Sequence, residues 1–117
     1  MTKICVVDDN PLILTVVKKA LSILGYGLFT ASDRKEFCTL FEKEDFDLVI
    51  TDYYLKDSTA LEIAKDILNK KPSTRILIMT GKEFPEETGL PFIKKPFSIK
   101  ELRNRVIELL SNRADES

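Results

Sequence analysis

Apolar residues along this chain follow two kinds of spacing, and the two alternate from one end to the other. Short runs at Lys3–Val7, Gly27–Ala31, Leu48–Thr51, Arg75–Met79 and Phe92–Lys94 are too brief for helices and rich in Val, Ile and Phe, so they predict five strands. Between them the apolar positions return at helical period. Ile13, Val16, Val17, Ala20 and Leu24 mark the first interval, Ala60, Leu61, Ala64, Ile67 and Leu68 the third, and Ile99, Leu102, Val106, Leu109 and Leu110 the last. The strands are apolar at consecutive positions rather than alternate ones, which requires cover on both faces of the sheet.

Strand–helix alternation implies right-handed βαβ crossovers, so the expected fold class is α/β: a flavodoxin-like, doubly wound, five-stranded parallel sheet in the order 2-1-3-4-5. The element boundaries agree. Asn10-Pro11 supplies an N-cap followed by proline at the first helical position, and Asp33 to Glu36 and Ser98 to Glu101 have capping-box spacing. One connection departs from the pattern. Thr80 to Leu90 offers only eleven residues, with Gly81, Pro85 and Gly89 among them, near the minimum for a parallel crossover. This predicts a shortened or missing fourth helix, at most one turn around Pro85–Thr88. Residues 1–112 read as one domain and 113–117 as a polar C-terminal tail.

Composition narrows the function. Lys plus Arg total 18 against 19 Asp plus Glu, and a net charge of −1 gives no field to draw a polyanion or an acidic membrane, so neither nucleic acid nor membrane is an expected direct partner. Cys5 and Cys38 sit among apolar residues without CxxC spacing, and the chain has no histidine to complete a metal site with them. Buried, reduced thiols follow. No apolar run is long enough to span a bilayer, and the first strand pattern begins directly after Met1-Thr2, so a cytoplasmic location is expected.

Candidate chemistry gathers at the carboxyl ends of the strands, where open α/β sheets bind ligands. The first strand runs into Asp8 and Asp9, the third into Asp52, the fourth into Thr80 and the fifth into Lys95-Pro96. Singly, these residues also suit a helix cap, a turn, a strand terminus and a solvated cation. Together they bring three carboxylates, a hydroxyl and an ammonium to one edge of four neighbouring strands. Clustered carboxylates repel unless a hard divalent cation sits among them, and Mg2+ (or Mn2+) takes few protein oxygens and leaves positions for a phosphoryl group. A carboxylate there can attack phosphorus, with Lys95 and Thr80 taking the phosphoryl oxygens.

From Ile4 to about Leu110 the chain resembles the receiver domain of two-component response regulators. In ICVVDDN, Asp8 and Asp9 match the acidic pair that holds Mg2+, and in DLVITDYYL, Asp52 matches the phosphoacceptor, with Tyr54 lending its backbone carbonyl to the metal. In RILIMTG, Thr80 matches the switch hydroxyl; in FIKKPF, Lys95 matches the lysine that meets the phosphoryl group, followed by a cis peptide bond to Pro96, and Phe92 falls at the switch aromatic. The resemblance implies a phosphoryl group passed from a sensor histidine kinase or phosphotransfer protein to Asp52, a conformational shift read by a downstream effector protein or domain, and slow self-hydrolysis. It implies no enzyme acting on other substrates. Tyr54 and Lys82 flank the site where they could tune that lifetime.

Lys56 and Ala60 stand where the family usually has proline and glycine in the loop after the acceptor, and Gly81 follows the switch hydroxyl where alanine is common. The short fourth crossover suggests a different output surface, or a smaller one made of Phe92 and the last helix. Two other classes compete. A flavodoxin-like cofactor binder would need a Ser/Thr/Gly-rich phosphate loop where this chain has DDNPL. A pseudo-receiver would keep the fold as an interaction module without phosphotransfer.

Overall fold

The computed structural model describes residues 1–81 and 88–112. In chain order they form β1 (Lys3–Val7), α1 (Pro11–Ser22), β2 (Gly27–Ala31), α2 (Arg34–Lys43), β3 (Leu48–Asp52), α3 (Ala60–Lys70), β4 (Arg75–Thr80), β5 (Phe92–Lys94) and α4 (Ile99–Asn112). All strand pairs are parallel, in the order β2-β1-β3-β4-β5. The order and the four helices among the described residues match the fold expected from the sequence. Of the turn anticipated around Pro85–Thr88, Pro85 to Glu87 lie outside the described residues, as do Lys82 and the 113–117 tail.

Consecutive strand residues point to opposite faces, so each strand feeds two cores. Cys5, Val7, Val49, Ile76 and Ile78 pack with Phe37 and Phe41 of α2 and Ile63 and Ile67 of α3. Ile4, Val6, Ile50, Leu77 and Met79 pack with Val17 and Leu21 of α1 and Leu102 and Val106 of α4. The central strands are sealed on both sides, which is why their sequence lacks a polar alternation. No described helix is long and apolar enough to cross a membrane.

The helix starts follow from local chemistry. Asn10 accepts the Leu12 N–H at 2.9 Å, with Pro11 at the first helical position. Ser98 and Glu101 form a reciprocal capping box at 3.0 and 3.2 Å. At α2 the box is shifted: Asp33 accepts the Glu36 N–H at 2.8 Å, whereas the Glu36 carboxylate reaches the Ser32 N–H at 2.9 Å. Gly25, at φ 81°, takes the left-handed turn between α1 and β2, which costs glycine little.

Register lines up the strand ends. Val7 lies between Ala31 and Thr51, Asp52 pairs with Met79 and Thr80 with Lys94. β3 and β4 each run one residue beyond the ends expected from the apolar runs, because a polar side chain at a strand's last position does not interrupt backbone pairing. Asp8 likewise continues the ladder, its N–H bonded to the Ala31 carbonyl at 3.0 Å.

Candidate functional site

β1 and β3 are adjacent, while β2 lies on the far side of β1, so the direction of winding reverses between β1 and β3 and their carboxyl ends open into a crevice. Asp8, Asp9 and Asp52 meet there, each offering a carboxylate oxygen within 4.8 Å of the others. Among the described residues they are the one such cluster of potential metal ligands. Asp8 is buried, Asp52 half-buried and Asp9 exposed.

Backbone and side-chain donors hold the inner two carboxylates. Asp8 accepts the Asn10 N–H at 2.9 Å, and Asp52 accepts the Tyr53 N–H at 3.0 Å. Lys95 Nζ donates to Asp52 Oδ1 at 3.2 Å and to Asp8 Oδ2 at 3.5 Å. Its backbone N–H donates to the Thr80 carbonyl at 2.6 Å, and the Lys95–Pro96 peptide bond is cis. Burial pushes the Asp8 carboxyl above the usual carboxylate range; the Asn10 N–H and the Lys95 ammonium pull it back, and the Asp52 charge adds to the rise.

Strand alternation sorts the other candidates. Asp8, Asp52 and Lys95 share the sheet face that α1 and α4 cover, since they fall in step with Val6, Ile50 and Ile93. Thr80 is in step with Ile78 and belongs to the opposite face. Its buried hydroxyl bonds only weakly to the Gly81 carbonyl, at 3.4 Å. Phe92 pairs with Ile78, two positions back along the same face, and is half-buried. The structure therefore joins Asp8, Asp9, Asp52 and Lys95 directly, and brings Thr80 and Phe92 to the edge from the other side. The Tyr54 side chain is exposed, its ring edge-on to Tyr53 with centroids 4.7 Å apart, and its backbone bridges Thr59.

Sequence reasoning missed how the loop after Asp52 is held. Asp57 accepts the N–H groups of Arg34 and Lys35 at the start of α2, at 3.0 and 3.2 Å. The Arg34 guanidinium then reaches α3, with a two-pronged contact to Asp66, both bonds 2.9 Å, and a third to Glu62 at 2.7 Å. An apolar cleft of about 450 Å³ lies beside Lys95, lined by Ile13, Val16, Val17, Pro96 and Phe97.

A parallel 2-1-3-4-5 sheet with an acidic crevice and a lysine at its switch point is a constellation shared with known proteins. The family model of the response regulator receiver domain matches residues 4–107. This chain belongs to that family, the receivers of two-component signalling. The alkaline phosphatase synthesis transcriptional regulatory protein PhoP of Bacillus subtilis is 36% identical over 115 residues, covering 92% of this chain and 48% of PhoP. The probable transcriptional regulatory protein TcrX of Mycobacterium tuberculosis is 29% identical, covering 92% and 49%. The chain thus spans about half the length of these relatives. Their names qualify the expectation of no nucleic-acid partner: drawn from a net charge of −1, it concerns these 117 residues and not a longer protein containing them.

Solved structures agree. A CheY-like receiver from Methanospirillum hungatei superposes with a TM-score of 0.92 at 26% identity, covering 100% of this chain and 99% of that one. The response regulator TrrA of Thermotoga maritima, solved with Mg2+ and beryllofluoride, gives 0.81 at 31% identity, covering 93% and 99%.

Proposed function

We propose that Asp52 accepts a phosphoryl group from a phosphohistidine on a sensor kinase or phosphotransfer protein, and that the protein changes conformation in response. The observation that carries this reading is the contact of Lys95 with Asp52 and Asp8 inside a cluster of three carboxylates. Such a cluster suits reaction with a phosphoryl group better than structure, because burying Asp8 there costs stability.

The donor set fits a hard divalent cation: oxygen ligands only, negatively charged, with one member buried and raised in proton affinity. Asp8, Asp9, Asp52 and the Tyr54 carbonyl would hold Mg2+, or Mn2+, whose chemistry there is to neutralise phosphoryl oxygens. The chain's own groups do the rest. An Asp52 carboxylate oxygen attacks phosphorus; the P–N bond to the donor imidazole breaks and its electron pair returns to the ring. Lys95, already within reach, moves its ammonium from carboxylate to phosphoryl oxygen, and the Thr80 hydroxyl, weakly held, turns to the same group. That movement empties space behind Thr80 on the face it shares with Phe92, which supplies a two-state element. Water then hydrolyses the acyl phosphate slowly, so the chain acts on nothing but itself.

The donor's approach is assigned to the edge beside α1, where Leu12 is exposed and Val16 lines the apolar cleft. The output face is assigned to Phe92 and α4, where Arg105 Nη2 donates to the Phe92 carbonyl at 3.1 Å and Ile107 is exposed. Residues 1–112 form the receiver, with 113–117 a tail, working in the cytoplasm. Incubation with a phosphorylated histidine kinase tests the reading: label should leave the kinase for this chain and should not transfer to Asp52→Asn. Transfer undiminished by that substitution would place the acceptor elsewhere.

A further inference from the structure

The β3–α3 loop, residues 53–59, carries the Tyr54 carbonyl, with Lys56 and Asp57 at its tip. Its base is tied locally. The Tyr53 N–H continues the ladder to the Met79 carbonyl at 3.0 Å, the Tyr53 carbonyl accepts the Ala60 N–H at 2.7 Å, and Leu55 N–H bonds to the Ser58 carbonyl at 2.9 Å. Tyr53 and Leu55 are buried in the α2–α3 core, while Lys56 and Asp57 are exposed. Tyr54 also bridges Thr59 within the loop, and Asp57 ties the tip to another element, its carboxylate spanning to α2 and taking the N–H groups of Arg34 and Lys35.

Those two donors are among the four that a helix start leaves without partners inside the helix. Asp33 satisfies the third, from Glu36. Asp57 therefore caps two of the free N–H groups at the N-terminus of a helix 23 residues earlier in the chain, where the helix dipole also favours its charge. Burial works against its ionised form, but its hydrogen bonds, those from the Arg34 and Lys35 N–H groups first and those from its own N–H and Ser58 after them, hold the carboxyl below the usual range. Arg34 closes the circuit, for its side chain grips Asp66 and Glu62 on α3, the helix into which the loop runs.

We infer that Asp57 is a positioning residue for the carboxylate site: by latching the loop tip to α2 it sets the Tyr54 carbonyl for a divalent cation. The inference rests on the cation reading above. Two consequences are linked by thermodynamic reciprocity: removing the latch weakens the cation, and the cation tightens the latch.

Mg2+ titrations of 15N-labelled protein, followed by NMR, test this on the wild type, Asp57→Ala and Asp57→Asn, with amide exchange at Arg34 and Lys35 measured with and without Mg2+. Asp57→Ala is expected to weaken Mg2+ about tenfold, the lower end for groups that orient metal ligands, with Asp57→Asn recovering part of the loss through its remaining oxygen. In the wild type Mg2+ is expected to slow exchange at Arg34 and Lys35, and in Asp57→Ala to leave it unchanged. Wild-type Mg2+ affinity in a folded Asp57→Ala overturns the inference and leaves Asp57 a helix cap only; should alanine prevent folding, unchanged affinity in Asp57→Asn does the same. Absence of any Mg2+ shift in the wild type defeats the cation reading itself, and the latch with it.

Discussion

Replacing Asp8 by asparagine should make the metal-free protein more stable. The geometry sets opposing terms: with an effective dielectric of about 20, two unit charges at the 4.8 Å limit of the cluster repel by roughly 3.5 kcal/mol. The Lys95 ammonium, 3.5 Å from Asp8, attracts it by roughly 5 kcal/mol on the same footing. Repulsion from Asp52 and a screened share from exposed Asp9 cancel most of that attraction, so the cost of burying the Asp8 charge decides the sign. That cost is several kcal/mol for a buried ion after relaxation, partly offset here by the Asn10 N–H, which asparagine can also engage; a gain of about 1–3 kcal/mol follows. Thermal unfolding in EDTA at low salt and pH 7 should show a Tm rise of roughly 4–12 °C.

The pH dependence has a definite sign. The raised Asp8 carboxyl favours folding below its ordinary value of 3.8 and loses that contribution as pH rises through its folded value. The advantage of Asp8→Asn should therefore grow with pH above about 3.8 and then level off. The lowered Asp57 and Asp66 carboxyls act oppositely, but they are common to both proteins and cancel in the difference. Millimolar Mg2+ should close the gap by stabilising the wild type preferentially. A variant that melts at or below the wild type in EDTA at pH 7 would refute the reasoning.

Lys95→Met should have the opposite effect, lowering metal-free stability by about 1–3 kcal/mol because the inner carboxylates lose their counter-charge, with Mg2+ restoring much of it in thermal melts. Burial pushes the Cys5 thiol up to about 12, so a thiol reagent at pH 8 should leave Cys5 unmodified in the native protein and label it only on unfolding, as read by peptide mass. Arg34→Met should cost about 1–2 kcal/mol in urea unfolding, since three charge-assisted bonds to half-exposed partners are lost. The deficit should shrink on acidification, as protonation of Asp66 removes from the wild type the pairing that the variant already lacks.

What the sequence made legible was what depends on neighbours in the chain. Apolar runs located the five strands and helical periods located α1, α3 and α4, whereas α2 was marked only by its Asp33–Glu36 cap spacing; Ser98–Glu101 declared its capping box because both partners lie within one turn. The carboxyl-edge rule placed Asp8, Asp52 and Lys95 together once the strand order was assumed, since β1, β3 and β5 each end at that edge. Chain spacing could not separate Thr80 from Lys95, which takes the register of β4 against β5 to assign to opposite faces. Nor could it show Asp57 closing the start of α2: that bond joins residues 23 apart and exists only after α2 and α3 pack side by side on the sheet. Glu36 reached Ser32 rather than Asp33 for a related reason, because the chain entering α2 leaves the Ser32 N–H nearer its carboxylate.

The most direct test of the central claim is intact mass after incubation with acetyl phosphate, with and without Mg2+, for the wild type and Asp52→Asn. The wild type should gain a single phosphoryl group only when Mg2+ is present, and Asp52→Asn should gain none. A folded wild type that never acquires the adduct, or an Asp52→Asn protein that acquires it equally, would contradict the account.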